Sequence, residues 1–143
     1  MDQTLKDAIY AAVAKEPFAQ ALKMQLVELE VGFSAVEMDY DPTVMDNLFA
    51  RTHGGAIFAL IDEAFETVCQ TVGSTTVALN VGVNYVASPD RGARLRAEAR
   101  EVSSTRKTAS YDIRVSDQDG RLIAVCQALG FRTGKPLPFL QLS

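Results

Sequence analysis

A chain of 143 residues, 48% apolar and 22% charged, has the usual size of one domain and enough apolar surface for one packed core, which excludes a disordered chain. Its formal charge of −4, from 14 Lys and Arg against 18 Asp and Glu, excludes a protein that holds nucleic acid by bulk electrostatics, because neutralising phosphates needs a basic face. Cys69 and Cys126 lie in apolar runs and read as reduced packing residues; Met1 to Asp7 lacks the pattern of a signal peptide, and no run approaches the ~20 apolar residues of a membrane span. A cytoplasmic chain with no membrane contact is expected.

No repeat or Pro/Gly/Ser linker divides the sequence, so one domain over 1–143 is expected, with an N-terminal helical segment over 1–23. In that segment Leu5, Ile9, Ala12, Val13 and Phe18 recur near helical spacing, interrupted at Pro17. From Met24 to Tyr40 the apolar residues nearly alternate, which predicts strand with a bend at Gly32. Asp41 to Thr52 has no sustained period and reads as a long functional loop. Ala56 to Val72 is the clearest helix: Ile57, Leu60, Ile61, Ala64, Phe65, Val68 and Val72 recur at three and four, and Gly73 stops it. Val77–Val86, Ala93–Val102, Thr108–Val115 and Leu122–Arg132 then follow as strands separated by turn residues. The class is α+β. The helix is apolar over more than a third of its circumference, so a curved antiparallel sheet should wrap it.

Two features of this layout carry chemistry. A helix that begins just after His53-Gly54-Gly55 presents unpaired N–H groups and partial positive charge, which suits a developing oxyanion; the same glycines equally serve a tight turn into the helix. Asp62, within the helix, falls at the margin of the apolar arc and is the carboxylate expected to be half-buried, while Glu63 falls in the polar gap. A solvated helix face is the other reading of Asp62, Glu63 and Glu66. Gly54 and Asp62 are eight positions apart, about 12 Å of helix, whereas reacting atoms must approach within about 3 Å. If both act on one carbonyl, Asp62 must come from a second subunit placed antiparallel, and a two-fold dimer would hold two such sites.

Asn47, then five residues, His53-Gly54-Gly55, Asp62, and further on Asn84-Tyr85-Val86-Ala87-Ser88-Pro89 with Gly92 resemble the PaaI-like branch of the hotdog-fold thioesterases, over about Met24 to Thr133. The resemblance implies the hotdog fold, in which a long central helix is wrapped by a curved antiparallel sheet. It also implies a homodimer with a continuous sheet, or a dimer of dimers, an acyl-CoA thioester as substrate, and neither metal nor cofactor beyond the CoA of the substrate. By position, the Gly54 amide would polarise the thioester carbonyl and Asp62 of the partner subunit would act as base or nucleophile. Asn47 would fix the water or the carbonyl, and His53 would orient the site or assist the thiolate leaving group. Gly55, Asn80 and Glu66 are the expected substrate contacts. Arg91 and the turn pair Arg106-Lys107 are the candidates for the CoA phosphates, whereas Arg94, Arg96 and Arg100 have the same-face spacing of an ordinary polar sheet face. Two positions depart from the branch: Ala50 stands where glycine is frequent, and Ala78 or Asn80 where some relatives carry a water-assisting hydroxyl.

Two other functions use the same residue types. An acyl-CoA binding or sensing module on this fold would bind without turnover. A hotdog hydratase or dehydratase would use His53 and Asp62 for proton transfer at carbon, although Gly54-Gly55 directly after the histidine fits the thioesterase pattern better.

Overall fold

The computed structural model describes residues 1–140. The N-terminal segment forms two helices, α1 (Gln3–Val13) and α2 (Pro17–Ala21). Asp2 caps α1 by accepting the Leu5 N–H at 2.8 Å, and Pro17 opens α2 at its first turn, where its missing N–H costs nothing. The expected strand from Met24 to Tyr40 is a hairpin of β1 (Gln25–Glu30) and β2 (Phe33–Asp39). Its turn is set by Gly32, whose φ of +71° is open to glycine at little cost. The stretch read as loop carries one short helix, α3 (Pro42–Met45), capped by Asp41. Proline at its first position and aspartate before it supply the start signals that the lack of a period concealed.

The central helix α4 spans Gly54–Gln70. Four strands follow: β3 (Ser74–Tyr85), β4 (Arg94–Ser104), β5 (Thr108–Ser116) and β6 (Leu122–Pro136). All six strands join one antiparallel sheet in the order β1-β2-β4-β5-β6-β3. Ile57, Leu60, Ile61, Phe65 and Val68 of α4 are buried against Val36, Met38, Leu95, Tyr111, Ile113 and Ile123 of the sheet, each apolar side chain stabilising by about 1.5–3 kcal/mol. Polar pins fix the register: the Ser34 hydroxyl donates to the Ala64 carbonyl at 2.7 Å, and the Thr67 hydroxyl donates to Ser34 at 3.0 Å. Beside β3, β6 passes so closely that a Cβ on Gly130 would lie 2.8 Å from Thr76 Cγ2, with Phe65 and Cys69 of the helix at 3.6 Å. This is a hotdog fold.

Two sheet edges remain. β1 is short, but β3 has 12 residues and, in the described chain, a neighbour on one side only. Val77, Leu79 and Tyr85 on it are exposed. A long apolar edge strand is a template for pairing with another chain.

Candidate active site

The entrance to α4 is a braced loop. Asp46 bridges to Thr52, the Asn47 N–H donates to the Arg51 carbonyl at 2.7 Å, and the His53 N–H donates to Met45 at 2.7 Å. Asn47 Oδ1 accepts the Phe49 and Arg51 N–H groups at 2.8 and 3.2 Å. Both partners are donors, which identifies the oxygen and leaves the Asn47 NH₂ without a partner among the described residues. Asp46 accepts from the Tyr40 hydroxyl and, at 2.9 Å, from Arg91 Nη1, which also donates to the Ala50 carbonyl at 3.1 Å. Ala50 completes the turn with a φ of +55°, in the left-handed region.

Because Ala56 and Ile57 both donate back to the His53 carbonyl, the first turn of α4 leaves the Gly54 and Gly55 N–H groups without acceptors among the described residues. Over that turn lies Tyr85, whose hydroxyl donates to the Gly54 carbonyl at 3.1 Å. A Cβ on Gly54 would stand 3.2 Å from Tyr85 Cζ, so glycine is the residue that fits. Asn47, Arg51, Thr52, Gly54, Ile57, Tyr85 and Val86 line an open groove here. Donors without acceptors on one groove are what a carbonyl gaining negative charge requires.

Asp62 opens into a different groove, lined by Glu16, Phe65, Glu66, Cys69, Thr76, Val77 and Ala78. Its carboxyl reaches solvent, but loss of water beside these walls still raises its pKa. The placing of Glu63 in the polar gap is corrected: in the described chain Glu63 is 3% exposed, whereas Asp62, at the margin of the apolar arc, stays partly open to solvent. The cause is the N-terminal segment, which brings Glu16 against the helix flank that the sequence pattern leaves polar. Burial, followed by the nearby Glu16 carboxylate, pushes Glu63 up to about 9, and burial pushes Glu66 to about 7.

The remaining predicted residues divide between the two grooves or leave them. His53 is the exposed residue preceding α4, and Gly55 follows Gly54 in its first turn. Glu66 lines the same groove as Asp62. Asn80 does not: β3 is irregular between Ala78 and Asn80, and Asn80 lies with Asp112, Arg114 and Gln127 while Ala78 takes the place beside Asp62. Arg91 is engaged in bracing the Asn47 loop. Arg106 and Lys107 form an exposed turn with no ion pair among the described residues. The neighbouring pairings of Thr108 and Val77 with Phe131 put that turn at the same end of the sheet as the Asp62 groove. Tyr85, Glu16 and Glu63 escape a sequence reading. Tyr85 falls inside the family motif, but neither period nor spacing shows its bond to Gly54.

The fold and the glycine-led central helix define a class, and comparison agrees with it: the chain belongs to the thioesterase superfamily, whose family model matches residues 49–124. Within it the chain is a PaaI-like hotdog member. It is similar to the acyl-coenzyme A thioesterase PaaI of Escherichia coli, 26% identical over 87% of this chain and 89% of that protein. The structure of the E. coli PaaI protein superposes with a TM-score of 0.87 over 92% of this chain and 95% of that one, at 25% identity. A relative from Archaeoglobus fulgidus is 30% identical over 96% of this chain and 87% of its own length. The smu.793 protein of Streptococcus mutans, solved bound to acetyl CoA, has a TM-score of 0.75 and 29% identity over 80% of this chain and 91% of its own. No helix among the described residues is long and apolar enough to cross a membrane.

Proposed function

We propose that this protein hydrolyses acyl-CoA thioesters at two sites of an antiparallel homodimer, each built from the Gly54 groove of one subunit and the Asp62 groove of the other. The observation that carries the reading is the separation of two complementary half-sites on one rigid helix. Free amide donors stand at its start and a carboxylate with a raised pKa stands about 12 Å along it, each in its own open groove. Pairing of β3 with its symmetry mate would cover Val77 and Leu79 and extend the sheet across the dimer.

In this arrangement the thioester carbonyl rests on the Gly54 N–H, with the Asn47 NH₂ as a second donor. Asp62 of the partner subunit takes a proton from the attacking water, or adds to the carbonyl itself. The tetrahedral oxyanion collapses with loss of the CoA thiolate, which leaves past exposed His53; where Asp62 itself has added, the resulting mixed anhydride is then hydrolysed by water to free acid and Asp62. Arg106 and Lys107, at the Asp62 end of the sheet, are the candidates for the CoA phosphates. Arg91 serves by holding the Asn47 loop. Hydration at carbon asks for no oxyanion donor at Gly54, so the free amides favour hydrolysis.

Replacing Asp62 with Asn tests the assignment. Turnover of a panel of acyl-CoAs, followed by released thiol, should fall by roughly 10³-fold or more, as when other enzymes lose a base or nucleophile, with the dimer intact by sedimentation. Near-normal turnover in Asp62→Asn, or full activity in a monomer, would end the reading.

A further inference from the structure

All of α4 is buried except Gly54, Gly55, Phe58, Asp62, Glu66 and Gln70. Gly54, Phe58, Asp62, Glu66 and Gln70 recur at every fourth position, so the open side of the helix is one narrow ridge. Phe58, near its middle, is 37% exposed. Single exposed apolar residues are ordinary on a protein surface, and Phe58 gains its meaning from what flanks it. Before it stand the unpaired Gly54 and Gly55 N–H groups and Arg51, which lines the same groove. The Arg51 backbone is fixed by Asn47 on both sides, while its guanidinium makes no hydrogen bond or ion pair among the described residues. Beyond Phe58 stand Asp62 and Glu66, with Glu16 in the same groove, and none of these three carboxylates has an ion-pair partner among the described residues.

A ridge that runs from positive to negative is complementary to itself when a copy is laid on it antiparallel. Symmetry then fixes which residues meet. A two-fold axis that exchanges Gly54 with Asp62 crosses α4 midway between them, at Phe58, so each Phe58 faces its own copy. Tyr85 of β3 stands over Gly54, and Val77 and Ala78 of β3 line the Asp62 groove. The exposed edge of β3 and the ridge therefore form one continuous face, and the same axis crosses β3 near Val81. Closing the Gly54 groove of one subunit on the Asp62 groove of the other also puts Arg51 and Glu66 of the partner subunit on one cavity, since each lines its own half.

We propose that the ridge of α4 is where a second copy of this chain docks antiparallel, with Phe58 packed on its own copy at the two-fold axis and Arg51 paired with Glu66 of the partner subunit at each end. This rests on the reading that each catalytic site joins two subunits. It gives Arg51 and Glu66 a positioning role: their ion pair locks the two grooves together and neutralises one of the carboxylates crowded around Asp62.

Charge exchange and cross-linking test it. Arg51→Glu and Glu66→Arg should each raise the dimer dissociation constant by roughly 10²-fold, the scale of a charge set against a like charge in an interface, and the chain carrying both substitutions should dimerise nearly as the parent does. Gly54 and Glu66 are twelve positions apart on α4, about 18 Å, so that recovery reports contact between subunits and not within one. Phe58→Cys chains, whose other cysteines Cys69 and Cys126 are buried, should be joined into covalent dimers by a short thiol-to-thiol cross-linker, whereas Val31→Cys, 59% exposed at the opposite edge of the sheet, should stay single. Unchanged dissociation in the single variants, no recovery in the exchanged chain, or a Phe58→Cys chain that stays single overturns the proposal. Mixing the impaired Gly54→Ala and Asp62→Asn chains separates it from the catalytic reading, because a mixed dimer holds one intact site and should regain turnover. If the mixture stays impaired while charge exchange restores the dimer, the shared-site reading falls and the ridge interface stands. If the mixture regains turnover but charge exchange restores nothing, the shared site stands and the ridge contact falls.

Discussion

The β1–β2–β4 edge of the sheet and the open side of α4 treat polar groups in opposite ways. On the sheet, Arg94 pairs with Glu37 and Asp39, while Arg96 pairs with Glu28, Glu37 and Glu98 at 2.6–3.1 Å. Each charge there has a partner supplied by the register of β2 against β4, which sets Glu37 opposite Arg96. Along α4 the pattern is inverted. The Gly54 and Gly55 amides, the Asn47 NH₂ and Asp62 have hydrogen-bonding capacity that the described chain leaves unused. Paired charges reinforce a scaffold, whereas groups held in place without partners mark where a ligand or a second subunit completes the structure.

The largest effect that would sharpen this contrast comes from the start of α4. Gly54→Ala should lower kcat/KM by roughly 10²-fold, the scale of one lost oxyanion donor, because the new methyl would sit 3.2 Å from Tyr85 Cζ and push the first turn out of line. Adding Tyr85→Leu should return part of the loss by making room. Unchanged kinetics in Gly54→Ala would mean that the amide is idle and that the glycines serve only the turn.

Glu63 tests whether the unpaired side of the molecule is held at a cost in stability. In the folded chain Glu63 keeps its proton up to about 9, while the unfolded chain releases it near its ordinary value of 4.5. Between those values the folded state binds more protons, so this residue makes stability fall as pH rises through the window. Glu63→Gln removes that titration. Its melting temperature should match the parent near about pH 4 and exceed it by several degrees near about pH 8. A parallel offset at both pH values would show that Glu63 does not titrate in this way. Arg96→Ala should behave in the opposite sense, losing about 1–2 kcal/mol of stability with kcat/KM unchanged, and a marked loss of turnover would break the division between scaffold and site.

The sequence revealed the scaffold better than the site, and the reason is periodic. The helix from Ala56 to Val72, the strands after Gly73 and the antiparallel sheet follow from apolar spacing, and the structure shifts the helix ends by only two residues, to Gly54–Gln70. Gly54, Asn47 and Asp62 stand out as candidates because they sit in a motif of fixed spacing, while the joint action proposed for them needs a second subunit. Glu63 was misplaced because a helical wheel reports which face is polar, not what packs on it; the segment that buries Glu63 lies more than 40 positions earlier in the chain. Asn80 lies apart from Asp62 for another reason. A bulge in β3 changes which residue faces the helix, and an irregularity of one residue leaves no trace in a period of two.

The smallest predicted effect tests the brace beside the site. Ala50 holds a φ of +55° in the turn that joins Asn47 to Arg51, a conformation costing a residue with a Cβ about 1 kcal/mol relative to glycine. Its carbonyl is pinned by Arg91 and its N–H donates to Asn47, so the turn keeps this shape despite the strain. Ala50→Gly should therefore raise stability by about 0.5–1 kcal/mol in denaturant titrations, the strain relieved less the extra chain entropy of glycine, without altering kcat/KM. A loss of stability would mean that the turn relaxes away from positive φ in solution. The Asn47 oxygen would then lose the two N–H groups that fix it, and the free amide on the Gly54 groove would no longer be preorganised, so this small change in stability reports on the geometry of the loop proposed to hold the carbonyl.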